Sequence, residues 1–290
     1  MVRKAISLLN AIGFEHAASA LPFALSAAFV ASYGWPRVRT LSWILVAMVG
    51  ARTAWIAFGR IAGLDRERRD PGTAGRTLLA RDLGTHTVWL VLIVAAAAYF
   101  LGAAMLNRLC LVVSPFALAA VLVCSYSNRR TVITHWILGF CLGLAPVGAW
   151  IAVRGRIDLP AIILGAAAMF WAAGFDIIRS CRDIAFHRAH KLCSLPARWG
   201  ARRALLFAAA NHMVTVWLLA LFGEIAELGW LYLLGVVLLV PVLFWAHRLV
   251  RPDDLSRVET VHLLADGVFS VILFLFAAAD VMLIGGRMRI

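Results

Sequence analysis

Metal-binding side-chain types are concentrated in one short stretch of the second half of the chain. At successive spacings of four, three and three residues lie Asp183, His187, His190 and Cys193. One helix would carry these side chains on a single face, and carboxylate, imidazole and thiolate are all ligands of Zn²⁺. Zinc binding is therefore one hypothesis for this stretch. The alternative is that the two histidines are polar loop residues that contact no metal.

The chain that must position this stretch is too apolar for a soluble protein. It has 290 residues, of which 63% are hydrophobic and 15% are charged, and its mean hydropathy is +0.87. An ordinary soluble domain has about 25% charged residues. A soluble protein of this length also needs a larger polar surface than this composition supplies. The composition excludes a disordered chain, a disulfide scaffold and a cytosolic enzyme, and it predicts an integral membrane protein.

Apolar runs of about 20 residues predict membrane-spanning helices. Nine such runs are found, at residues 14–33, 40–62, 87–106, 109–126, 132–153, 159–178, 204–222, 226–246 and 261–284. The runs do not alternate with a period of two, as the strands of a membrane barrel would. We therefore predict an all-α membrane protein with nine transmembrane helices in a single domain, residues 1–290.

The net charge of +13 is explained mostly by membrane topology. With nine spans, 20 of the 28 basic residues fall on the side of the N-terminus, seven fall on the other side, and Arg52 lies within a span. Basic residues are enriched in cytoplasmic loops. This bias predicts a cytoplasmic N-terminus and a C-terminus on the opposite side of an inner, plasma-type bacterial membrane. No basic soluble domain is present, so we expect no nucleic-acid partner.

Several segments resemble the UbiA superfamily of intramembrane aromatic prenyltransferases, and in particular its bacterial 4-hydroxybenzoate polyprenyltransferase branch. Residues 14–24 (FEHAASALPFA) are similar to the opening segment of that branch. Residues 70–76 (DPGTAGR) are similar to its NPRTAGR stretch. Residues 174–178 (GFDII) and 194–200 (SLPARWG) are similar to its GFDI and SIPARFG stretches. The resemblance extends over nearly the whole chain.

The resemblance implies a bundle of nine transmembrane helices around a central cavity that opens to the cytoplasmic face. It also implies transfer of a polyprenyl group from a polyprenyl diphosphate to a small aromatic acceptor in the bilayer, as in quinone biosynthesis. In the family, two Asp-rich motifs at helix ends hold Mg²⁺, which binds the diphosphate. Diphosphate oxygens and carboxylates are the hard ligands that Mg²⁺ prefers.

The first Asp-rich motif is reduced in this sequence. The family has Asn, then Asp four residues on, then Asp four further, and these positions correspond here to Gly59, Gly63 and Glu67. The lysine of a Lys-Arg pair that follows the fourth helix in the family is replaced by Asn128, and its arginine is Arg129.

The second motif is also reduced. The family has Tyr, Asp and Asp at intervals of four residues, and this chain has Arg179, Asp183 and His187. The glutamine that usually precedes the first Asp is Arg182 here. The metal-facing positions of the two motifs are the Asn and the four Asp, five in all, and only Glu67 and Asp183 remain carboxylates here. Arginine or histidine stands at other positions in and beside the second motif.

The loss of carboxylates and the gain of basic residues at these motif positions leave three interpretations. In the first, the chain is a working prenyltransferase in which Glu67 and Asp183 hold Mg²⁺ and act as the catalytic carboxylates. Arginines would then neutralise the diphosphate, since guanidinium binds phosphate bidentately; these are Arg60, Arg129, Arg179 and Arg182. In the second, the chain is catalytically impaired and binds a prenyl or lipid diphosphate or a membrane partner. The third is the zinc site described above.

We also predict roles for a few polar residues within or beside the predicted spans. We expect His135 to be a hydrogen-bonded structural residue and Asp176 to cap a helix or to pair with another side chain. Arg52 lies about two turns inside its span and needs a partner or a water-filled cavity. Asp266 and Asp280 are the acids of the last span, and for Asp266 we expect a polar contact between helices.

Overall fold

The computed structural model describes residues 14–67, 85–127, 131–189 and 192–284. Within these ranges it describes no side chains for residues 14–19, 63–67, 85, 126–127 and 262–266. The described chain contains ten helices, which are α1 (Phe14–Ser32), α2 (Val38–Glu67), α3 (Thr85–Leu106), α4 (Arg108–Ser127), α5 (Thr134–Arg154), α6 (Leu159–Ser180), α7 (Ile184–Ala189), α8 (Leu195–Ile225), α9 (Trp230–Leu249) and α10 (Val258–Leu283). The all-α prediction is confirmed.

Each predicted span falls on a long helix. Among the described residues, seven helices are long and apolar enough to cross a membrane, namely α2 to α6, α8 and α9. The described apolar parts of α1 and α10 are shorter, at residues 20–32 and 267–283. Large apolar side chains are exposed on the outer faces of the helices, as on Phe116 and Met213, which is the pattern of a lipid-facing surface. The protein is an integral membrane protein, and the count of nine spans remains a prediction.

Helix α6 lies at the centre of the bundle. It packs against α5 and α8 along its length and also contacts α1 and α10, while α10 packs on both α9 and α1. A Cβ atom placed at Gly143 of α5 would lie 2.4 Å from the carbonyl oxygen of Gly165 on α6. Only glycine allows this approach of the two backbones, as small residues do in other membrane bundles.

Helices α2, α3 and α4 form a second packing group with its own apolar core. Ala54 and Ala57 of α2 are buried against Leu92 and Ala95 of α3 and Leu118 of α4. The larger core is built mainly from α1, α5, α6, α8, α9 and α10. The carboxyl ends of α2 and α4 therefore lie together at one end of the molecule.

The sequence prediction missed helical structure between residues 179 and 203. This stretch contains α7 and the first turns of α8, whereas the hydropathy pattern began the seventh span only at residue 204. Ser194 caps α8 by accepting a hydrogen bond from the Ala197 N–H, and Pro196 occupies the first turn, where proline is well tolerated. Gly200 has φ +80° and kinks the helix. The short segment before the kink is too polar to register as part of a span.

Asp280 of α10 is a helix cap, which the sequence did not predict. Its Oδ2 accepts a hydrogen bond of 2.7 Å from the Gly229 N–H, and its Oδ1 accepts one of 3.1 Å from the Tyr232 N–H. These are amides at the start of α9, which have no partner within their own helix. The buried carboxylate is thereby satisfied, and it joins α9 to α10. The side chain of Asp266 lies outside the described residues.

Candidate functional site

We call the end of the bundle at which α6 ends and α7 begins the site end, and the opposite end the far end. Asp183 lies at the site end, in the turn between these two helices, and its side chain is only 12% exposed. Its Oδ1 lies 3.6 Å from Nε of Arg182. Arg182 also forms an ion pair with Glu259 in the first turn of α10. One guanidinium is thus shared by two carboxylates.

The other predicted phosphate ligands that are described lie on α2 and α6. Arg60 of α2 and Arg179 of α6 are both half-buried, and Arg179 stands in the last turn of its helix. Arg52, two turns before Arg60, places its guanidinium carbon 4.1 Å from the ring centroid of Trp55. Arg52 lies within a predicted span, where a charged side chain needs a partner, and this cation–π contact with Trp55 supplies one.

The first metal-ligand position, Gly59, lies in a contact between two helices. A Cβ atom at Gly59 would lie 2.6 Å from Oγ of Ser125 on α4. The Ser125 hydroxyl donates a hydrogen bond of 3.2 Å to the carbonyl oxygen of Trp55. The loss of a ligand at this position is therefore accompanied by close packing of α2 against α4, and a side chain at residue 59 would require the Ser125 hydroxyl to rotate away.

Some predicted site residues lie outside the described set. The α2 backbone includes Gly63 and Glu67, but their side chains are not described, and Asn128, Arg129 and His190 lie outside the described ranges. Across the ranges that are described, no group of three or more His, Cys, Asp or Glu side chains is arranged to hold a metal ion. The roles predicted for Glu67, Asp183 and the arginines therefore stay predictions.

His187 does not lie with Asp183 on an exposed ligand face. Its side chain is fully buried, and its Nδ1 lies 2.9 Å from Oγ of Ser194. Cys193, in contrast, is exposed. The expectation that His187 is a polar loop residue is wrong, since it belongs to α7 and fixes this short helix against the start of α8. Its Nδ1 is committed to that contact, which weakens the zinc hypothesis.

His135 and Asp176 form a hydrogen-bonded pair between α5 and α6. Nδ1 of His135 lies 2.5 Å from Oδ2 of Asp176, and Nε2 accepts a hydrogen bond of 3.4 Å from the Leu195 N–H. Because Nε2 accepts a hydrogen bond, Nδ1 carries the proton and donates it towards the carboxylate. The pair connects the ends of three helices, as expected for a structural histidine.

Two histidines, His212 and His247, form a pair between α8 and α9 that the sequence did not predict. Nδ1 of His212 on α8 lies 2.9 Å from Nε2 of His247 on α9. His212 is buried against α6, where a Cβ at Gly174 would lie 2.4 Å from its Nε2. Two histidines 35 residues apart leave no local spacing signal. The glycine that opens the GFDII segment was the available clue.

The molecule is thus a bundle of apolar helices, and arginine and aspartate side chains lie together at one end of its central helix. The UbiA prenyltransferase family matches residues 20–278. The chain belongs to this family, whose members are prenyltransferases. The resemblance found in the sequence is confirmed.

Two named relatives illustrate the match. The 4-hydroxybenzoate octaprenyltransferase of Actinobacillus pleuropneumoniae is 25% identical over 263 residues, which cover 86% of each chain. That of Albidiferax ferrireducens is 28% identical over 155 residues, which cover 52% of this chain and about half, 51%, of the relative.

Solved structures support the same fold. A UbiA homologue from Aeropyrum pernix K1 superposes with a TM-score of 0.76 at 29% identity, covering 92% of this chain and 96% of the homologue. A UbiA homologue from Archaeoglobus fulgidus, solved with DMAPP and Mg²⁺, gives a TM-score of 0.72 at 18% identity, with coverages of 94% and 98%. At that identity the second likeness concerns the fold alone.

Proposed function

We propose that the protein transfers a polyprenyl group from a polyprenyl diphosphate to a small aromatic acceptor, with a 4-hydroxybenzoate-like acid of quinone biosynthesis as the acceptor class. The C–O bond between the prenyl group and the diphosphate breaks, a bond forms to a ring carbon, and that carbon loses its proton. The names of the curated relatives support this reaction class. The observation that carries the proposal is the position of Asp183, with a side chain 12% exposed, one turn beyond Arg179 at the end of the central helix.

The arginines are proposed to bind the diphosphate. Arg179 and Arg182 project from the end of α6 and the turn that follows it, Arg60 lies on α2, and Arg129 follows α4 in sequence. Guanidinium groups neutralise phosphate charge and hold it in a defined orientation. They would stabilise the negative charge that develops on the leaving diphosphate. This is a larger share of the charge than arginine carries in the family's usual motifs.

We propose a metal site with fewer carboxylates than the family's usual one. Asp183 is the one described carboxylate among the predicted ligands, Glu67 would be the second, and Gly59 supplies no ligand. Mg²⁺ keeps several waters and takes phosphate oxygens as ligands, so two carboxylates suffice for one ion. We therefore propose one Mg²⁺ held by Glu67, Asp183 and the diphosphate. When bound, it would supply further charge for the departure of the diphosphate.

A second candidate function is binding of a prenyl or lipid diphosphate, or of a membrane partner, without chemistry. The observation in its favour is that Asp183 and Arg182 already pair with each other, and Arg182 also with Glu259. A carboxylate held by an arginine is less available to a metal ion. In such a protein the arginines would bind the diphosphate, and no prenyl group would leave it.

The topology proposed for this activity has nine spans around a central cavity in an inner, plasma-type bacterial membrane. The site end faces the cytoplasm with the N-terminus, and the C-terminus lies on the opposite side. The distribution of basic residues supports this orientation. The proposed partners are the polyprenyl diphosphate, the aromatic acceptor and the bilayer, in a single domain of residues 1–290.

The proposal is tested with the purified full chain, radiolabelled polyprenyl diphosphate and a panel of aromatic acids, in Mg²⁺ and in EDTA. The expected result is a prenylated aromatic product that requires Mg²⁺. Diphosphate binding that persists in EDTA, with no product from any acceptor, would contradict transfer and favour the binding function.

A further inference from the structure

A polar cavity lies at the far end of the molecule, away from the candidate site. It has a volume of about 270 Å³ and opens between the ends of α1, α5, α6 and α8. One wall is aliphatic, with Val30 and Ile225 among its residues. The polar side chains that line it are Tyr33, Trp150, Arg154, Arg156 and Asp158.

The cavity carries more positive than negative charge. Asp158 accepts hydrogen bonds from the Trp150 indole N–H at 3.0 Å and from Nε of Arg156 at 3.2 Å. These bonds and the charges of Arg156 and Arg154 hold the pKa of Asp158 below its ordinary value, so this group is an anion at neutral pH. Two guanidinium groups therefore face one carboxylate, which leaves one positive charge uncompensated.

Arg154 is held at the wall of the cavity by Tyr33. Its Nη2 donates a hydrogen bond of 2.9 Å to the Tyr33 hydroxyl, and its guanidinium carbon lies 4.6 Å from the centroid of the Tyr33 ring. Its Nε lies 3.9 Å from Oδ2 of Asp158, which is beyond hydrogen-bonding distance. Among the described residues this buried Nε has no hydrogen-bond partner. The Arg154 side chain as a whole is 28% exposed, so an anionic oxygen in the cavity would be bound by its outer N–H groups and not by this enclosed Nε.

The position of the cavity corresponds to the headgroup level of a bilayer. The 21 residues of α5 separate Arg154 from the site end by about 30 Å at 1.5 Å per residue. Tyr33, Trp35 and Trp230 are exposed around this end of the bundle, and such aromatic residues mark membrane interfaces. A ligand here is too distant to be the substrate diphosphate at the site end.

We propose that this cavity binds the headgroup phosphate of an anionic phospholipid from the leaflet at the far end. The phosphate would accept hydrogen bonds from Arg154 and Arg156, and the glycerol and upper acyl chain would lie along the aliphatic wall. The shared chemistry of the possible ligands is a phosphate anion. The aliphatic wall and the interfacial depth favour a lipid over free phosphate.

The test measures ligand-dependent thermal stability of the purified full chain in detergent, with three probes: phosphatidylglycerol, phosphatidylcholine and inorganic phosphate. Phosphatidylglycerol should raise the Tm of the wild-type protein saturably. Phosphatidylcholine, whose choline cation is repelled by the net positive charge of the cavity, and inorganic phosphate, which has no acyl chain, should not. The variant Arg154→Gln/Arg156→Gln should bind phosphatidylglycerol about tenfold or more weakly, since it loses charge-assisted hydrogen bonds. The matched control Arg37→Gln/Arg39→Gln removes two exposed arginines from the same end and should bind like the wild type.

Asp158→Asn tests the proposal in the opposite direction. It removes the anion that competes with the phosphate, and it should tighten phosphatidylglycerol binding several-fold even if the double arginine variant folds poorly. Equal binding by the wild type and the double arginine variant would overturn the site. Equal stabilisation by phosphatidylcholine would also overturn it. Inorganic phosphate that stabilises as strongly as phosphatidylglycerol at the same concentration would overturn the lipid assignment.

Discussion

Oγ of Ser125 stands 2.6 Å from the point at which a Cβ atom would lie at Gly59. The serine hydroxyl is held there by its hydrogen bond to the carbonyl oxygen of Trp55, one turn earlier on α2. The position of a family metal ligand has therefore become part of the contact between α2 and α4. Restoration of a ligand at residue 59 alone would disturb this contact before it could rebuild a metal site.

We expect Gly59→Ala to be about 1 kcal/mol less stable than Gly148→Ala, which makes the same glycine-to-alanine exchange in a helix, because it displaces one hydrogen bond. The added methyl group forces the Ser125 hydroxyl out of its position and breaks its hydrogen bond to Trp55. Removal of that hydroxyl in Gly59→Ala/Ser125→Ala should recover much of the loss. The measurement is the Tm of each single variant and of the double variant in the same detergent.

Gly148→Ala is the matched control, because nothing lies within 4 Å of a Cβ at Gly148. Its Tm should equal or exceed that of the wild type, since alanine favours a helix over glycine. Equal Tm values for Gly59→Ala and Gly148→Ala would show that the α2–α4 contact is looser than described.

The sequence predicted the helical class and the central helix that precedes Asp183, because long apolar runs indicate membrane spans directly. It did not predict that Ser125 packs against Gly59, that His212 contacts His247, or that Asp280 caps α9. Each of these contacts joins residues on different helices and depends on how close the helices approach. The short helix α7 was missed because hydropathy recognises spans and does not recognise short polar helices.

The His135–Asp176 pair should stabilise the junction of α5, α6 and α8. His135→Phe keeps a ring of similar size but leaves the Asp176 carboxylate and the Leu195 N–H without this partner. A hydrogen bond to a carboxylate contributes about 1.5–3 kcal/mol, so we expect a lower Tm. His86→Phe, at an exposed position of α3, is the control and should melt like the wild type. Equal effects of the two substitutions would contradict a structural role for the pair.

The Arg182–Glu259 ion pair should compete with diphosphate binding. Glu259→Gln releases Arg182 from its partner on α10, so we expect the KM for the polyprenyl diphosphate to fall about threefold to tenfold. Steady-state kinetics at saturating acceptor measure this change. Glu224→Gln, at an exposed position near the far end, should leave KM unchanged. An unchanged KM in Glu259→Gln with a lower Tm would instead make the ion pair a structural link between α10 and α6.

The Asp158 carboxyl at the far end should make the thermal stability of the protein depend on pH. The Trp150 hydrogen bond, followed by the hydrogen bond and charge of Arg156, holds the pKa of this carboxyl below its ordinary value of 3.8. A lowered carboxyl pKa contributes stability above the unfolded-state pKa, and this contribution disappears as the pH falls through the folded-state pKa. The wild type should therefore melt above Asp158→Asn at pH 7, and the difference should shrink below pH 3.8. A difference that is independent of pH would contradict this account.

Product formation by Asp183→Asn tests the central claim most directly. The assay uses radiolabelled polyprenyl diphosphate, an aromatic acceptor and Mg²⁺, with Asp253→Asn as a control for loss of an exposed carboxylate. If Asp183 helps to hold Mg²⁺ and the diphosphate, its amide variant should lose activity by about a hundredfold or more, while Asp253→Asn keeps wild-type activity. Wild-type levels of product from Asp183→Asn would contradict the proposed site.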